Sequence, residues 1–259
     1  MTSNAATQPI EPMPEKWDEE FDVVVIGSGF VGLAAAIEAK LAGKSVAVFE
    51  KMRNPGGNSI INGGIPGVPG TPMQKKEGID DSPELMMEDM LREGLGLNHP
   101  DKVRKLCEEA LPTWQWTIDE LGVEWNRDRV SQGGGHSVPR CSIIKNGSGS
   151  GIVLKEIEKL KTLGVPIRTR VLMERIIRDA DGRVKGVMVR EGYRFPNKDS
   201  GKTKFLKAKR GLVLAHGGFG ADIPYRTIFD PKLTAEIGTT CQPGATSEAW
   251  READRIGCQ

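Results

Sequence analysis

Residues 21–58 read FDVVVIGSGFVGLAAAIEAKLAGKSVAVFEKMRNPGGN, and this stretch decides the fold. The β-forming run from Val23 to Ile26 leads into the glycine-rich turn Gly27–Gly32. An alanine-rich run follows, and a second apolar run ends at Glu50. This order predicts a strand, a helix and a second strand. A G-x-G-x-x-G motif in that setting, with an acid about 20 residues further on, indicates a dinucleotide-binding β-α-β unit.

The motif residues have distinct physical roles in such a unit. Gly27 allows the tight turn, Gly29 lets the backbone approach a pyrophosphate, and Gly32 lets the helix lie close to the strand. The unpaired N–H groups at the helix start face the phosphates. Glu50 is expected to accept hydrogen bonds from both hydroxyls of an adenosine ribose, which disfavours a 2′-phosphate. The alternative is a Rossmann-like unit that binds no ligand.

The composition narrows the class of protein. The chain has 259 residues, a formal net charge of +1 and 32 glycines. The length allows one large or two modest domains, and the absence of a basic patch with interleaved aromatics gives no indication of nucleic acid as a partner. The four cysteines form no C-x-x-C pair, and no His/Cys spacing suggests a metal site. Scattered cysteines are typical of reduced thiols, so we predict a cytoplasmic location.

The N-terminus, MTSNAATQPIEPMPEKWDEE, is polar and acidic and has no apolar core. It therefore differs from a secretory signal, and a flexible tail is expected over residues 1–19. One ligand-binding domain is expected over residues 20–259, with a helical insertion at about 80–130. No window of the sequence approaches a membrane span.

Two further glycine-rich segments are candidate ligand contacts. Residues 56–64, GGNSIINGG, follow the predicted ribose acid and suit neither a helix nor a packed strand. They suggest a backbone lining for a flat ligand, with Asn58, Ser59 and Asn62 as hydrogen-bonding side chains; a flexible glycine loop is the alternative. Residues 131–140, SQGGGHSVPR, either frame a ligand cavity or form a loop in solvent.

The C-terminal half has the pattern of a sheet. Residues 164–172 predict one strand, and a meander follows with a hairpin turn at Asp181-Gly182. Residues 204–209 continue this antiparallel sheet, and residues 211–215, GLVLA, predict a separate apolar strand. His216 follows that strand at its carboxyl end, where ligands of open α/β sheets bind. It is either a candidate acid or base or a residue positioned by its backbone near the dinucleotide.

Together these motifs resemble the flavoprotein subunits of fumarate reductases and succinate dehydrogenases, and most of all the flavocytochrome c fumarate reductase branch. The resemblance runs from Phe21 to Gln259. It rests on GSGFVG (27–32), FEK (49–51), GGNSIINGG (56–64), DSPELMMEDM (81–90), GGHSVPR (134–140), LVLAHGGFG (212–220) and QPGATSEAWREADRIG (242–257). Several such motifs in one order are specific for the family.

The resemblance implies an α/β fold of the glutathione-reductase type. This is a Rossmann-like FAD-binding domain with a central parallel sheet, a β-meander and a helical insertion. FAD is expected to bind non-covalently, because the Gly-Gly-Asn loop holds no histidine for a covalent link. The cofactor-binding residues implied by the family are Gly27, Gly29, Gly32, Glu50, Lys51, Gly57, Asn58, Ser59, Asn62, Gly63, Gly64, Val171, Ala215, Gly217, Gly218 and Glu248.

The activity implied by the family is hydride transfer between flavin N5 and an enoate-type double bond. In the family an arginine serves as the acid and lies in or beyond a clamp domain, which would begin close to Gln259. We therefore expect the clamp domain and the catalytic acid outside this chain and assign no catalytic residue. A partner chain supplying the clamp domain or the electrons is expected. Two departures from the family pattern are His216 for threonine and Ser247-Glu248-Ala249 for Gly-Asp-Gly.

Two other functions stay open. A flavoenzyme similar to 3-ketosteroid dehydrogenases would share the first motif and the Gly-Gly loop. Those enzymes rely on tyrosines, whereas Tyr193 and Tyr225 lie outside the motifs. The other alternative is a non-catalytic FAD-binding fragment or subunit.

Overall fold

The structure is a computed structural model that describes residues 12–258. Residues 1–11 of the predicted tail lie outside this range. Near the end of the tail, the backbone N–H of Asp18 donates to the carbonyl of Phe205 (2.9 Å), and the Asp18 carboxylate accepts from the N–H of Phe205 (2.7 Å). The chain divides into two compact units. The first comprises residues up to Ser59 and from Glu156 onward, and the second is Ile60–Lys155.

Strands and helices divide unequally between the units. The strands are β1 (Glu19–Ile26), β2 (Val46–Glu50), β3 (Ile167–Thr169), β4 (Val171–Arg178), β5 (Val184–Glu191) and β6 (Lys202–Leu214). The helices are α1 (Phe30–Leu41), α2 (Pro72–Lys76), α3 (Pro83–Glu93), α4 (Pro100–Asp119), α5 (Ser150–Thr162), α6 (Ile223–Phe229) and α7 (Glu248–Arg255), with a 3₁₀ helix at Gly57–Ile60. All strands belong to the first unit, and α2 to α4 belong to the second.

The strands form one mixed sheet in the order β3-β2-β1-β6-β5-β4. The first four are parallel neighbours, and β6, β5 and β4 form an antiparallel meander. Ile26 pairs with both Phe49 and Leu214, so β1, β2 and β6 end side by side. The predicted α/β class, with its parallel sheet and its meander turning at Asp181-Gly182, is confirmed.

Two predicted strand boundaries are wrong. Residues 204–209 and 211–214 are parts of one strand, β6, which pairs with β5 from Lys202 to Lys207 and with β1 from Leu206 to Leu214; Ala215 lies directly after it. The change of neighbour needs no break in the strand. Conversely, residues 164–172 contain two strands. Arg170 separates them with a φ of 60°, which turns the chain so that β3 pairs with β2 and β4 with β5.

One hydrophobic cluster of the first unit lies on one face of the sheet. Its buried residues include β-branched side chains of β1, β4 and β5, Ala47 and Phe49 of β2, Ala249 of α7 and Ile256 directly after α7. The buried Glu252 carboxylate accepts a hydrogen bond from the N–H of Ile176 (2.6 Å). This bond satisfies a backbone donor on β4 and attaches α7 to that strand.

The second unit contains the helices of the stretch for which an insertion is predicted. Ser82 caps α3 by accepting from the N–H of Leu85 (3.1 Å). A proline usually kinks or ends a helix, but α4 runs through Pro112. Val103 and Trp114 are buried on either side of it, so burial outweighs the backbone hydrogen bond that proline removes. None of the described helices is both long and apolar enough to cross a membrane.

Candidate cofactor site

The turn between β1 and α1 is built from close backbone approaches. Gly27 has a φ of 101°, and a side chain there would overlap the carbonyl group of Ala215. A side chain on Gly32 would overlap the carbonyl oxygen of Gly27. Gly29 caps α1 without a side-chain hydrogen bond, and a Cβ there would lie 2.9 Å from Ser59 Oγ. Each glycine therefore meets a steric requirement of the turn.

Glu50, the last residue of β2, is held by the same turn. Its Oε2 accepts from the hydroxyl (2.6 Å) and the backbone N–H (3.2 Å) of Ser28, and its Oε1 accepts from the N–H of Met52 (2.7 Å). Three of the roughly four lone-pair positions of the carboxylate are thus used. One position is left for a ribose hydroxyl. Bonding both hydroxyls, as the sequence predicts, requires a neighbouring donor such as the Ser28 hydroxyl to turn away.

The loop after β2 folds back onto the turn. The Ser28 hydroxyl accepts from the N–H of Gly56 (3.0 Å), and Ser59 Oγ accepts from the N–H of Phe30 (3.1 Å). Ser59 therefore already satisfies one amide at the start of α1. Asn58 Oδ1 accepts from the backbone N–H of Gln242 (2.7 Å), which joins this loop to the segment before α7.

Lys51 is engaged by the segment at the start of α7. Its ammonium group lies 2.5 Å from Thr246 Oγ1 and 3.1 Å from Glu248 Oε2, and the Thr246 hydroxyl donates to Glu248 Oε2 (2.6 Å). Burial raises the pKa of Glu248, but the charge of Lys51 and these hydrogen bonds outweigh it. The pKa therefore lies below its ordinary value, and Glu248 is an anion at neutral pH.

His216 follows Ala215 at the carboxyl end of β6. Its ring packs edge-on against Trp250 at 5.3 Å between centroids, and Trp250 Nε1 donates to the carbonyl of Gly217 (2.9 Å). Nδ1 of His216 is buried and has no hydrogen-bond partner among the described residues. Burial lowers the pKa of His216 and outweighs a backbone hydrogen bond with Gly217 that raises it, and the charge of Lys51 acts in the same direction as burial. The imidazole is therefore neutral at physiological pH.

These elements surround a cavity of about 440 Å³ in the first unit, within the usual range for small-molecule sites. The ends of β1, β2 and β6 form one side and the segment before α7 forms another. The cavity is lined by twelve residues of the predicted cofactor site: Gly27, Gly29, Glu50, Lys51, Gly57, Asn58, Ser59, Val171, Ala215, Gly217, Gly218 and Glu248. Gly32 supports it from within α1.

Three predicted site residues, Asn62, Gly63 and Gly64, belong to the second unit. Asn62 Oδ1 accepts from the N–H of Gly64 (2.6 Å), and the Asn62 carbonyl accepts from the N–H of Gly149 (2.8 Å). Gly64 has a φ of 61°, and a side chain there would meet Ile144. These bonds fix the loop locally, and its contact with a flavin remains a prediction.

The segment 131–140 does not supply a free arginine. Arg140 is fully buried, and its guanidinium bonds the carboxylates of Asp81 (2.9 and 3.0 Å) and Asp89 (2.6 Å). His136 Nδ1 lies 3.0 Å from the same guanidinium. Arg140 therefore has a structural role in the second unit. Among the described residues, no group of three or more His, Cys, Asp or Glu side chains could hold a metal.

Sequence reasoning missed Ser28, Thr246 and Gln242 as cavity residues. Ser28 is the variable position of the first G-x-G. A hydroxyl at this position can donate to the acid that ends β2, and this could have been predicted from the sequence. Thr246 lies in the PGAT segment, where a polar residue next to glycines is a usable signal. Gln242 contributes its backbone N–H, which every residue except proline has, so its residue type does not predict this contact.

The residues fit the adenosine and pyrophosphate parts of a dinucleotide. The turn Gly27–Gly29 presents backbone without side chains, which is the surface that a pyrophosphate at a helix start requires. Glu50 supplies an acceptor at the end of the neighbouring strand, as a ribose requires. Leu172 and Met173 of β4 line the same cavity and add an apolar wall for a base.

Comparison with known proteins gives a consistent result. Residues 22–250 match the family described as FAD binding domain. The chain is 45% identical over 243 residues to the acrylate reductase flavoprotein subunit of Shewanella woodyi, covering 93% of this chain and 48% of that protein. It is 38% identical over 248 residues to the urocanate reductase of Eggerthella lenta, covering 94% and 39%. The chain thus spans half or less of the length of these relatives.

Comparison with solved structures supports the same family assignment. The open conformation of a flavocytochrome c3 fumarate reductase superposes with a TM-score of 0.84 and 27% identity, covering 94% of this chain and 41% of that one. The 3-ketosteroid-delta4-(5alpha)-dehydrogenase from Rhodococcus jostii RHA1 gives a TM-score of 0.82 and 27% identity, covering 95% and 55%. The sequence-based resemblance to fumarate reductase flavoproteins is confirmed.

Proposed function

Because the chain belongs to the FAD-binding domain family, we propose that it is the cofactor-holding part of a flavin-dependent oxidoreductase that reduces the C=C bond of an enoate. The observation that carries this proposal is the cavity at the joint ends of β1, β2 and β6, which gathers twelve predicted cofactor residues. The names of the curated relatives, acrylate and urocanate reductases, support the substrate class.

The residues of this chain bind and orient the cofactor in the proposed enzyme. Gly27 and Gly29 present backbone to the pyrophosphate, and Glu50, fixed by Ser28, accepts from the adenosine ribose. When bound, FAD supplies two-electron transfer between its N5 position and an acceptor double bond. We propose non-covalent binding, since no histidine stands in residues 56–64.

The acid that protonates the substrate is assigned to no residue of this chain. By the family resemblance, a clamp segment or a partner chain supplies it, and electrons reach the flavin from a further donor. We also propose a cytoplasmic location. It is supported by the four cysteines, all unpaired: Cys107, Cys141, Cys241 and Cys258.

A second candidate is a steroid-directed flavoenzyme, because the Rhodococcus dehydrogenase superposes almost as closely as the fumarate reductase, with TM-scores of 0.82 and 0.84. Two assays on the native protein separate the candidates. We expect it to oxidise reduced methyl viologen with acrylate, urocanate or fumarate, and to leave 4-androstene-3,17-dione unchanged with an artificial electron acceptor. The reverse pattern would favour the steroid candidate, and inactivity in both assays the non-catalytic alternative. Full turnover by residues 1–259 alone would refute the external acid.

A further inference from the structure

Residues 242–247, here called the strap, run beside the cavity immediately before α7. Gln242, Gly244, Ala245 and Thr246 of the strap line the cavity. Ser247, at the C-terminal end of the strap, bonds Asp222, the residue that caps the N-terminus of α6. The hydroxyl and N–H of Ser247 donate to the Asp222 carboxylate (2.5 and 3.0 Å). The carbonyl of Ala245, in the middle of the strap, accepts from the N–H of Ala221 (3.0 Å), so this part is also attached next to α6.

Two other contacts attach the strap to the segment that follows β2. Lys51 reaches Thr246 and Glu248 with a single ammonium group, and Thr246 donates to the same Glu248 oxygen. The side chains of Lys51 and Glu248 are only 17% and 24% exposed, so water screens this pair weakly. Asn58 holds the other end through the N–H of Gln242.

These bonds change the roles that the sequence suggests for Lys51, Asn58 and Glu248. All three were expected to contact the cofactor directly. In the structure their polar atoms join two protein segments that both line the cavity.

We propose that Lys51, Thr246 and Glu248 form a latch that holds the strap in place beside the cavity and sets the rate at which FAD enters and leaves. The inference rests on the proposed function, since it takes FAD as the occupant. The latch joins protein to protein and favours the closed strap with or without FAD. Breaking it therefore speeds entry and exit together and leaves the dissociation constant nearly unchanged. A direct contact to FAD would instead slow only its exit.

The test measures FAD association and dissociation rates by stopped-flow flavin fluorescence for the full chain and for Lys51→Met, Glu248→Gln and Thr246→Val. A charge-assisted hydrogen bond corresponds to about 10- to 100-fold in an equilibrium constant. We expect both rates to rise by about 10-fold or more, with the dissociation constant within about 3-fold of the parent. The double variant Lys51→Met/Glu248→Gln should change the rates by less than the product of the two single changes, because both changes remove the Lys51–Glu248 pair.

Lys207→Met is the matched control. Lys207 pairs with Glu20 at 3.1 Å, the same separation as Lys51 and Glu248, but on the exposed surface of the first unit away from the cavity lining. It should leave both rates unchanged. Amide hydrogen exchange of residues 242–247 in the FAD-free chain measures how often the strap opens when no ligand is bound. This exchange should be faster in Thr246→Val than in Lys207→Met.

Three outcomes would overturn the latch. The first is rates in all three latch variants equal to those of the control. The second is faster exit with unchanged entry and a weaker dissociation constant, which would make these residues direct FAD contacts. The third is a folded parent chain that binds no FAD, which would overturn the proposed function and the latch with it. The first two leave the proposed function intact and are thereby distinguished from the third.

Discussion

Arg140 in the second unit and Glu50 in the first are both buried charged side chains, but their surroundings differ. Arg140 has an exposed fraction of 0% and lies between two carboxylates, of which Asp81 also accepts from Gln74 (2.6 Å). Glu50 accepts from the neutral donors of Ser28 and Met52 and lines a cavity. The Arg140 cluster is closed within the protein, whereas the Glu50 carboxylate retains capacity for a ligand.

This difference separates residues that hold the fold from residues that serve a ligand. Burial raises the pKa of Asp89, but hydrogen bonds from Ser137, Arg140 and Arg92 outweigh it and hold the pKa well below its usual range. A carboxylate paired so completely has no capacity for chemistry. Substitutions in the Arg140 cluster should therefore change the free energy of unfolding, and substitutions at Glu50 should change ligand affinity.

The largest expected effect is that of Arg140→Met. It leaves the carboxylates of Asp81 and Asp89 buried without their cation, which costs on the order of 3–5 kcal/mol in the free energy of unfolding. Urea denaturation of the FAD-free chain, followed by circular dichroism, measures the change. Lys145→Met is the control, because its 2.6 Å pair with Glu124 is 70% exposed on both sides. Equal midpoints for the two variants would contradict the structural role of Arg140.

A smaller effect, on ligand affinity, is expected for Glu50→Gln. The amide puts a donor opposite the N–H of Met52 or the donors of Ser28, and it removes the anion that accepts from the ribose. We expect the FAD dissociation constant to rise about 10- to 100-fold. Isothermal titration with FAD and with FMN separates the causes. FMN lacks the adenosine ribose, so its weaker affinity should be unchanged, and an equal loss for both ligands would contradict the assignment.

The smallest expected effect is the pH dependence contributed by His216. Its pKa is lowered in the folded state, so the unfolded chain binds more protons near pH 6.5 and the stability falls as pH drops through that range. His216→Phe keeps a ring against Trp250 and removes the titrating group. The loss of thermal stability between pH 7.5 and 5.5 should be smaller in this variant. An identical pH dependence in parent and variant would show that His216 does not contribute.

Much of the first unit could be predicted from the sequence because its signals are local. A pattern of only a few residues is enough to predict each of three features: the glycines of the first turn, the acid that ends β2, and the Asp181-Gly182 hairpin. The ends of the strands and helices are harder to predict from the sequence. Nothing local shows that β6 continues from one pairing partner to the next, or that burial of Trp114 carries α4 through Pro112.

The side-chain networks could not be predicted, since they join residues far apart in the chain. Arg140 meets Asp81 across 59 positions, and Lys51 meets Glu248 across 197. A single sequence gives the residue types but not their pairing. Arg140 therefore looked like a candidate for a ligand cavity, and Lys51 and Glu248 looked like simple cofactor contacts.

FAD binding by the purified chain tests the central claim most directly. The FAD-free chain is mixed with excess FAD, freed of unbound flavin by gel filtration, and its visible spectrum is compared with its protein concentration. We predict a yellow protein with one FAD per chain, released by acid precipitation as expected for non-covalent binding. A colourless chain that circular dichroism shows to be folded would contradict the claim that residues 1–259 form an FAD site.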